Sequence, residues 1–457
     1  MELRTLARRS ALAVSATAVL AVLLTACSSG LGGSPAGGSD QTADTSSGKL
    51  TGDVTITFLA GGNDPVSIAT AKAYAAGFEK AEPKVTVKVD TRPAGTDGDN
   101  LIKTKLSTGD MSDVFLYNSG SLFQALNADT TMQPLTNEPW VKNITDDFKT
   151  TVSTSKGVYG APVGTTFAGG IMYNKKVYAD LGLSVPTSWD EFIANSKKIK
   201  AAGKTAVLQT YGDTWTSQLF VLGSFANITA SNSDWAKQYT DNDPSAKYSK
   251  SPAIQGFEHT QQIHDLGLTN KDYASLTNAK GLSELAKGEA VQYPMIAVTI
   301  GNVLQSDPKL VNDIGVFPIP ADNASDTRLT IWEPGAAYIP KSTTGQKLIA
   351  AKKFVAWLNS PEGCAIQNKT GLPSGPYAIN QCTVPSSAPA LVADTQKYID
   401  EKKSGLALEF VSPIKGPNLE KILIQVGSGI SSAKQGAALY DDDVKKQAQQ
   451  LGLKAWN

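Results

Sequence analysis

Short segments with alternating apolar and polar residues are interleaved along the chain with longer segments of helical spacing. DVTITFLAGG (53–62) alternates, is rich in β-branched residues and ends in two glycines, so it predicts a strand and a turn. Further strands are predicted at 84–90 and 113–120, and a helix in NLIKTKLSTGD that ends at Gly109. Residues 66–81 predict another helix, with its apolar positions at Ile68, Ala71, Ala75 and Phe78.

This alternation of strands and helices predicts an α/β fold in which helices cover both faces of a sheet. Ligands of such sheets bind beyond the carboxyl ends of the strands. Polar residues follow two of the predicted strands and are candidate ligand contacts: Asn63, Asp64, Asn118 and Ser119.

The amino-terminal pattern is that of an export signal. Arginines at 4, 8 and 9 precede an uncharged apolar run at 11–24, which is shorter than the roughly 20 residues of a spanning helix. LTAC (24–27) then matches the lipobox of bacterial lipoproteins, so residues 1–26 are predicted to be removed and Cys27 to carry lipid. An ordinary signal peptide followed by an incidental cysteine is the alternative.

Residues 28–49 have the composition of a flexible tether. Twelve of these 22 residues are Gly or Ser, and the segment has too few apolar residues to bury a core. We expect residues 27–49 to hold a folded body away from a membrane, with a root-mean-square reach of about 25 Å. The protein is therefore expected to be extracytoplasmic and anchored to the cell membrane by lipid.

The composition excludes several functional classes. Removal of residues 1–26 leaves 431 residues, which favours two domains. With 42 basic and 42 acidic residues, no charge excess indicates nucleic-acid binding. The two histidines, His259 and His264, are five residues apart, which favours a surface helix over a metal site. No phosphate-binding, dinucleotide or nucleophile-elbow motif occurs, so we expect neither a cofactor nor a catalytic site.

Two cysteines remain once Cys27 is assigned to lipid. In an exported chain, Cys364 and Cys382 are an even pair, which predicts one disulfide that closes a short loop. Two buried free thiols are the alternative.

The ordered motifs between residues 50 and 380 resemble those of family 1 extracellular solute-binding proteins, the maltose-binding-protein-like receptors of sugar importers. The resemblance begins in GVYGAPVGTTFAGGIMYNKKVYADLGLSVPTSWDEF (157–192), where GVYGAP, YNK and PTSWDE correspond to the family's G-x-x-Y-x-x-P, Y-N-K and P-x-T-W-x-E elements. It continues through LAKGEAVQYPM (285–295), DIGVFPIP (313–320) and the strand, Lys-Ser turn and helix of 335–363.

The resemblance implies the type II periplasmic-binding-protein fold, with two discontinuous α/β lobes joined by a three-crossing hinge. We place the crossings near 163–167, 316–320 and 370–376. The implied organisation is lobe 1 at 50–165, lobe 2 at 166–318, a return to lobe 1 at 319–372 and a return to lobe 2 at 373–457. The implied partners are a carbohydrate ligand and the permease subunits of an ABC transporter, with the receptor itself a monomer.

A sugar receptor needs aromatic faces for the ring and carboxylates or amides for the hydroxyls. EAVQYPMIAVT (289–299) lacks the tryptophan that the family often carries there, so another residue must stack on the sugar. Trp357 and Trp189 have the spacing of packing residues. Trp215 and Trp332 follow predicted strands beside an acid and are candidate stacking residues. Further candidates, some from the family's position after the first crossing, are Thr165, Thr166, Tyr211, Asp213, Glu333 and Tyr377.

Two other functions stay open at this point. A receptor of the same class for a polyol or a polyamine is one alternative, although a polyamine site needs several carboxylates around each amine. An anchored glycoside hydrolase is the other, since a chain with 42 acids has enough carboxylates to form a catalytic pair. We expect a binding protein rather than an enzyme.

Overall fold

The computed structural model of the protein describes residues 46–62, 64–93 and 95–457. The predicted lipid site at Cys27 and the candidate Asn63 lie outside these residues. The strands within them are β1 (Val54–Leu59), β2 (Val85–Asp90), β3 (Val114–Tyr117), β4 (Ser153–Thr154), β5 (Gly157–Val158), β6 (Ala161–Val163), β7 (Phe167–Asn174), β8 (Thr205–Val207), β9 (Ala290–Ile296), β10 (Ile314–Phe317), β11 (Leu329–Trp332), β12 (Gly335–Tyr338) and β13 (Ser404–Leu406).

Helices connect most of these strands. They are α1 (Pro65–Ala81), α2 (Gly95–Thr108), α3 (Ser121–Gln124), α4 (Ala128–Thr131), α5 (Asp146–Thr151), α6 (Lys175–Asp180), α7 (Trp189–Ala201), α8 (Leu219–Leu222), α9 (Phe225–Ser231), α10 (Trp235–Thr240), α11 (Gln255–Asp265), α12 (Asn278–Lys287), α13 (Ile300–Ser306), α14 (Gly345–Leu358), α15 (Pro361–Thr370), α16 (Ala390–Asp400), α17 (Leu408–Val411), α18 (Leu419–Gly427) and α19 (Ala433–Gln450).

The first sheet has the strand order β2-β1-β3-β12-β6. Strand β1 is parallel to β2 and β3, whereas β12 is antiparallel to β3 and β6. The alternation in β1 buries Ile56 and Phe58, and Phe58 packs edge-on against Phe354 of α14 at 5.0 Å between ring centroids. The three strands and the two helices predicted between residues 53 and 120 are confirmed. Helix α2 begins ahead of the predicted segment and ends at Thr108, directly before Gly109, whose φ of 74° suits glycine.

The second sheet has the order β13-β11-β7-β9-β8, and β10 also pairs with β7. Strand β7 is buried along almost its whole length, because β9 covers one edge while β10 and β11 share the other. Its glycines allow close packing: a Cβ on Gly169 would lie 2.1 Å from the Trp332 ring, and one on Gly170 would lie 2.3 Å from the Phe317 carbonyl.

The chain passes between the two sheets three times. The first passage, from β6 to β7, lies at residues 164–166, inside the predicted 163–167. The second falls later than predicted: β10 pairs with β7, so residues 316 and 317 still belong to the second sheet, and the chain leaves it only between β11 and β12, at 333–334. The third follows Cys382, which is still in the core of the first sheet, rather than the predicted 370–376.

A disulfide joins Cys364 of α15 to Cys382, as predicted, with 5.8 Å between the Cα atoms. Both cysteines are buried against the core of the first sheet. The bridge therefore fixes the segment that follows α15 to the first sheet, just before the third passage.

Replacement of both cysteines by serine is expected to lower the free energy of unfolding by about 3 kcal/mol. The reason is the loop entropy that an 18-residue cross-link removes from the unfolded chain. Denaturant unfolding of the variant and of the oxidised parent measures this difference. Two titratable thiols in the denatured, unreduced parent would contradict the pairing.

Within the described residues no helix is long and apolar enough to cross a membrane, and no group of three or more His, Cys, Asp or Glu side chains could hold a metal ion. Both histidines lie on α11, as predicted. His259 is nevertheless buried, stacked on Trp189 at 3.6 Å between ring centroids and hydrogen-bonded through Nε2 to Asp322 at 3.0 Å.

Candidate functional site

A cavity of about 440 Å³ lies where α2 of the first sheet approaches turns that follow β8 and precede α18. Small-molecule sites have volumes of about 300–1,000 Å³. The walls come from both sheets, and they are Gly95, Asp97, Gly212, Asp213, Thr214, Trp215, Pro417, Asn418, Glu420 and Lys421. Of the predicted ligand residues, Asp213 and Trp215 line this cavity.

The turn with Asp213 and Trp215 is held from both ends. The Asp213 carboxylate accepts a hydrogen bond from the backbone N–H of Asn278 at 2.7 Å, at the start of α12. Trp215 lies in the 3-10 helix Thr214–Gln218, and its half-buried ring packs against the core beside β9. A partly exposed indole and a carboxylate therefore stand side by side in the cavity wall.

The segment 417–421 forms the opposite part of this wall, and sequence reasoning missed it. Asp443 of α19, itself buried, accepts hydrogen bonds from the backbone N–H of Asn418 at 2.8 Å and from its side-chain amide at 2.6 Å. The Ser217 hydroxyl donates to the Glu420 carbonyl at 2.9 Å and so ties this segment to the Trp215 turn. Because the side-chain nitrogen of Asn418 donates to Asp443, the side-chain oxygen of Asn418 remains as an acceptor.

Among the described residues, the first sheet contributes Gly95 and Asp97, whereas the predicted Asp64, Asn118 and Ser119 do not line the cavity. Asp64 caps α1, where its carboxylate accepts from the backbone N–H groups of Val66 and Ser67. Ser119 is buried and donates to the Pro334 carbonyl at 2.8 Å, at the second passage. Asn118 is exposed, and its carbonyl accepts from the Tyr338 hydroxyl at 3.0 Å.

A buried guanidinium underlies the start of α2. Arg92 donates to the Pro93 carbonyl at 3.1 Å and lies over the Tyr117 ring at 5.4 Å from its centroid. A Cβ on Gly98 would come within 2.5 Å of this guanidinium, so only glycine fits there. Burial lowers the pKa of Arg92, and the nearby Asp99 carboxylate counteracts this.

Thr165 and Thr166 instead hold the first passage to the chain after α15, and Tyr377 of that segment binds back to α15 itself. The Thr165 hydroxyl accepts from the backbone N–H of Ser374 at 3.0 Å, and the Thr166 hydroxyl donates to the Pro376 carbonyl at 3.1 Å. The Tyr377 hydroxyl donates to the Asn368 side-chain oxygen at 2.8 Å. None of the three lines the 440 Å³ cavity.

The other two predicted aromatic residues are packed into the protein. Tyr211 is buried edge-on against Tyr273 at 5.5 Å, and a Cβ on Gly427 would collide with its hydroxyl. Trp332 is 7% exposed and stacks on Phe167 at 6.3 Å with 8° between the ring planes. Neither lines the cavity, so both have the surroundings of core residues.

Glu333 carries a buried carboxyl at the second passage. It is 6% exposed, and burial, followed by repulsion from Asp147, raises its pKa from 4.5 to about 7. One of its oxygens has no hydrogen-bond partner among the described residues. The folded protein therefore holds this proton at pH values where the unfolded chain has released it.

This difference in pKa predicts how stability depends on pH. The contribution of Glu333 is fully present below pH 4.5 and is lost as the pH rises through about 7, on the order of 2–3 kcal/mol in total. Glu333→Gln is expected to remove that part of the pH dependence and to be more stable than the parent at pH 8. Denaturant unfolding at pH 5 and pH 8 measures both, and an unchanged pH profile would contradict the assignment.

Two α/β sheets, three passages of the chain between them and a polar cavity lined from both sides define the architecture of a two-lobed solute receptor. The chain belongs to the bacterial extracellular solute-binding protein family, whose model matches residues 62–363. The family and the predicted α/β fold class are thereby confirmed. Membership places the protein among binding proteins that act outside the cytoplasm.

Two relatives have sugar-binding names. The multiple sugar-binding protein of Streptococcus mutans is 26% identical over 313 residues, which cover 68% of this chain and 72% of that protein. The melibiose/raffinose/stachyose-binding protein MelE of Bacillus subtilis is 24% identical over 317 residues, covering 67% of this chain and 70% of that protein.

Solved structures show the same fold at low identity. RafE in complex with raffinose superposes with a TM-score of 0.71 at 23% identity, covering 87% of this chain and 99% of that chain. A sugar transporter of Bacillus licheniformis in complex with stachyose gives 0.70 at 18% identity, covering 88% of this chain and 100% of that chain.

Proposed function

We propose that this protein is a receptor that binds a sugar or an oligosaccharide beside Trp215 and delivers it to the permease of an ABC importer. The observation that carries the proposal is that the half-buried Trp215 indole lines one cavity together with the acceptors of Asp213 and Asn418. An indole face matches the apolar face of a sugar ring, and carboxylate and amide oxygens accept from its hydroxyls. The sugar-binding names of the two relatives support this class of ligand.

We further propose that the two sheets are the cores of two lobes that close on the ligand. The passages at 164–166, 333–334 and after Cys382 would then form the hinge. The cavity is suited to such closure, because Asp97 approaches from the first sheet and Lys421 from the second. Closure of this kind moves two rigid bodies about a few connecting residues.

A thermal-shift screen against sugars tests the ligand class. Raffinose, stachyose, melibiose and chitin oligosaccharides form the first panel, and polyols and polyamines form the second. A ligand at 100 times its Kd stabilises the folded state by about 2.7 kcal/mol, which raises the Tm visibly. A shift with polyamines or polyols alone would replace the sugar proposal by the alternative receptor function.

The same panel distinguishes a receptor from a glycoside hydrolase. A receptor returns each oligosaccharide intact after prolonged incubation, whereas a hydrolase releases shorter sugars that chromatography detects. The control is a Trp215→Ala variant, because an activity that survives loss of sugar binding at the cavity would come from a contaminant. Turnover that depends on Trp215 would overturn the proposal of a pure binding protein.

We also propose that the receptor is anchored through lipid on Cys27. The basis is the order of basic residues, apolar run and LTAC at the amino terminus. Mass spectrometry of the amino-terminal peptide from native membranes should find a diacylated Cys27, and Cys27→Ala should be released or remain unprocessed. An unmodified amino terminus at another residue would contradict the anchor.

A further inference from the structure

The first described residues are docked onto the body rather than free. Leu50 is 5% exposed and belongs to the core of the first sheet. On one side of it, the backbone N–H of Ser46 donates to the Glu138 carboxylate at 3.0 Å; on the other, that of Thr51 donates to the Gln346 side-chain oxygen at 2.8 Å. We call residues 46–51 the clasp.

The surface that receives the clasp is fixed in place. The Glu138 carboxylate forms an ion pair with Lys352 of α14 at 3.6 Å, and both side chains are at least nine-tenths buried. A hydrogen bond to a charged carboxylate is stronger than one between neutral groups. Gln346 lies in the first turn of the same helix. The clasp is therefore held between α14 and the segment that contains Glu138.

The clasp also contains a residue that matters for proteolysis. Lys49 is the only Lys or Arg between Cys27 and Asp53. Its side chain is exposed, but its neighbours Gly48 and Leu50 are buried. A protease must bind the chain around the scissile bond in an extended form, so cleavage after Lys49 requires the clasp to open first.

We propose that the clasp shields the Lys49–Leu50 bond and so prevents trypsin-like proteases from shedding the receptor from the membrane. Every other bond of the segment 27–53 lacks the basic residue that such proteases require. The clasp precedes β1, whereas the 440 Å³ cavity lies beyond the carboxyl ends of the parallel strands. The length of the six-residue strand β1, about 20 Å, therefore separates the clasp from the cavity. The proposal rests on the proposed lipid anchor and is independent of the ligand.

The test is the release of receptor from membrane fractions by trypsin under native conditions. Release by a cut at Lys49 should be far slower than cleavage of a synthetic peptide of residues 42–54. Leu50→Ala should speed it about thirtyfold or more, because the side chain that anchors the clasp is lost. Gln346→Ala should speed it about fivefold through the loss of one hydrogen bond. Each rate is divided by that of the peptide with the same sequence.

Leu439→Ala is the matched control, since Leu439 is 48% exposed on α19 and its loss leaves the clasp unchanged. A wild-type bond cut as fast as the peptide, or a Leu50→Ala rate equal to that of the control, would overturn the proposal. A protease that cuts before Asp40 and Asp44 should release all variants equally. If no chain sediments with membranes, the anchor is wrong; cleavage of the soluble chain at Lys49, followed by mass spectrometry, then still decides the clasp.

Discussion

Trp332→Ala should unfold in denaturant, without ligand, with a free energy about 3–5 kcal/mol below that of the parent. The indole is 7% exposed, lies at the end of β11 and stacks on Phe167 of β7. Gly169 leaves the space that the ring fills, because a Cβ there would be only 2.1 Å away. Truncation to alanine leaves a cavity, because the buried strand β7 is held by its neighbours and cannot move into the space.

The expected result reverses the expectation from sequence, which made Trp332 a ligand contact. Its neighbour Glu333 suggested a sugar site, yet β11 turns the indole into the core of the second sheet. Trp332→Phe should recover part of the lost stability, since a smaller ring still packs on Phe167. A Trp332→Ala variant with the parent's unfolding free energy but no sugar affinity would restore the ligand role.

The local pattern of the sequence was sufficient for the first sheet. In strand β1 the buried Ile56 and Phe58 alternate with the more exposed Thr55 and Thr57, and its partners β2 and β3 follow within about 60 residues. The second passage was misplaced because Pro318 and Pro320 in DIGVFPIP suggest a chain reversal between lobes. Whether such a segment changes sheet depends on the pairing of Val316 with Met172, which no local pattern reveals.

The cavity shows a second limit of the sequence. Asp213 and Trp215, which were predicted because they follow β8 and combine an acid with an aromatic residue, both line it. Asn418 was missed because its orientation depends on Asp443, and Glu420 because its carbonyl binds Ser217, 203 residues earlier. Asp64 and Ser119 are polar residues after strand ends, as a ligand site requires. However, the Asp64 carboxylate caps α1, and the Ser119 hydroxyl donates to the Pro334 carbonyl.

Trp215→Ala is expected to weaken sugar binding by about 2–4 kcal/mol, which is about 30- to 1,000-fold in Kd. The half-buried indole lines the cavity, where it would lose water on contact with a sugar face. Isothermal titration calorimetry with the sugar that gives the largest thermal shift measures the loss. Because the ring is only partly packed against the core, the unfolding free energy of the apo form should change far less than in Trp332→Ala.

Two further variants separate stacking from hydrogen bonding in this wall. Trp215→Phe keeps an aromatic face and should retain most of the affinity that Trp215→Ala loses. Asp443→Asn leaves the indole in place but replaces a carboxylate that accepts two hydrogen bonds from Asn418. This variant should therefore bind sugar more weakly although the stacking on Trp215 is intact. If Trp215→Ala binds every sugar as tightly as the parent, the ligand does not use this cavity. This conclusion follows because Trp215 is the tryptophan among the described lining residues, and a sugar in this cavity would stack on it.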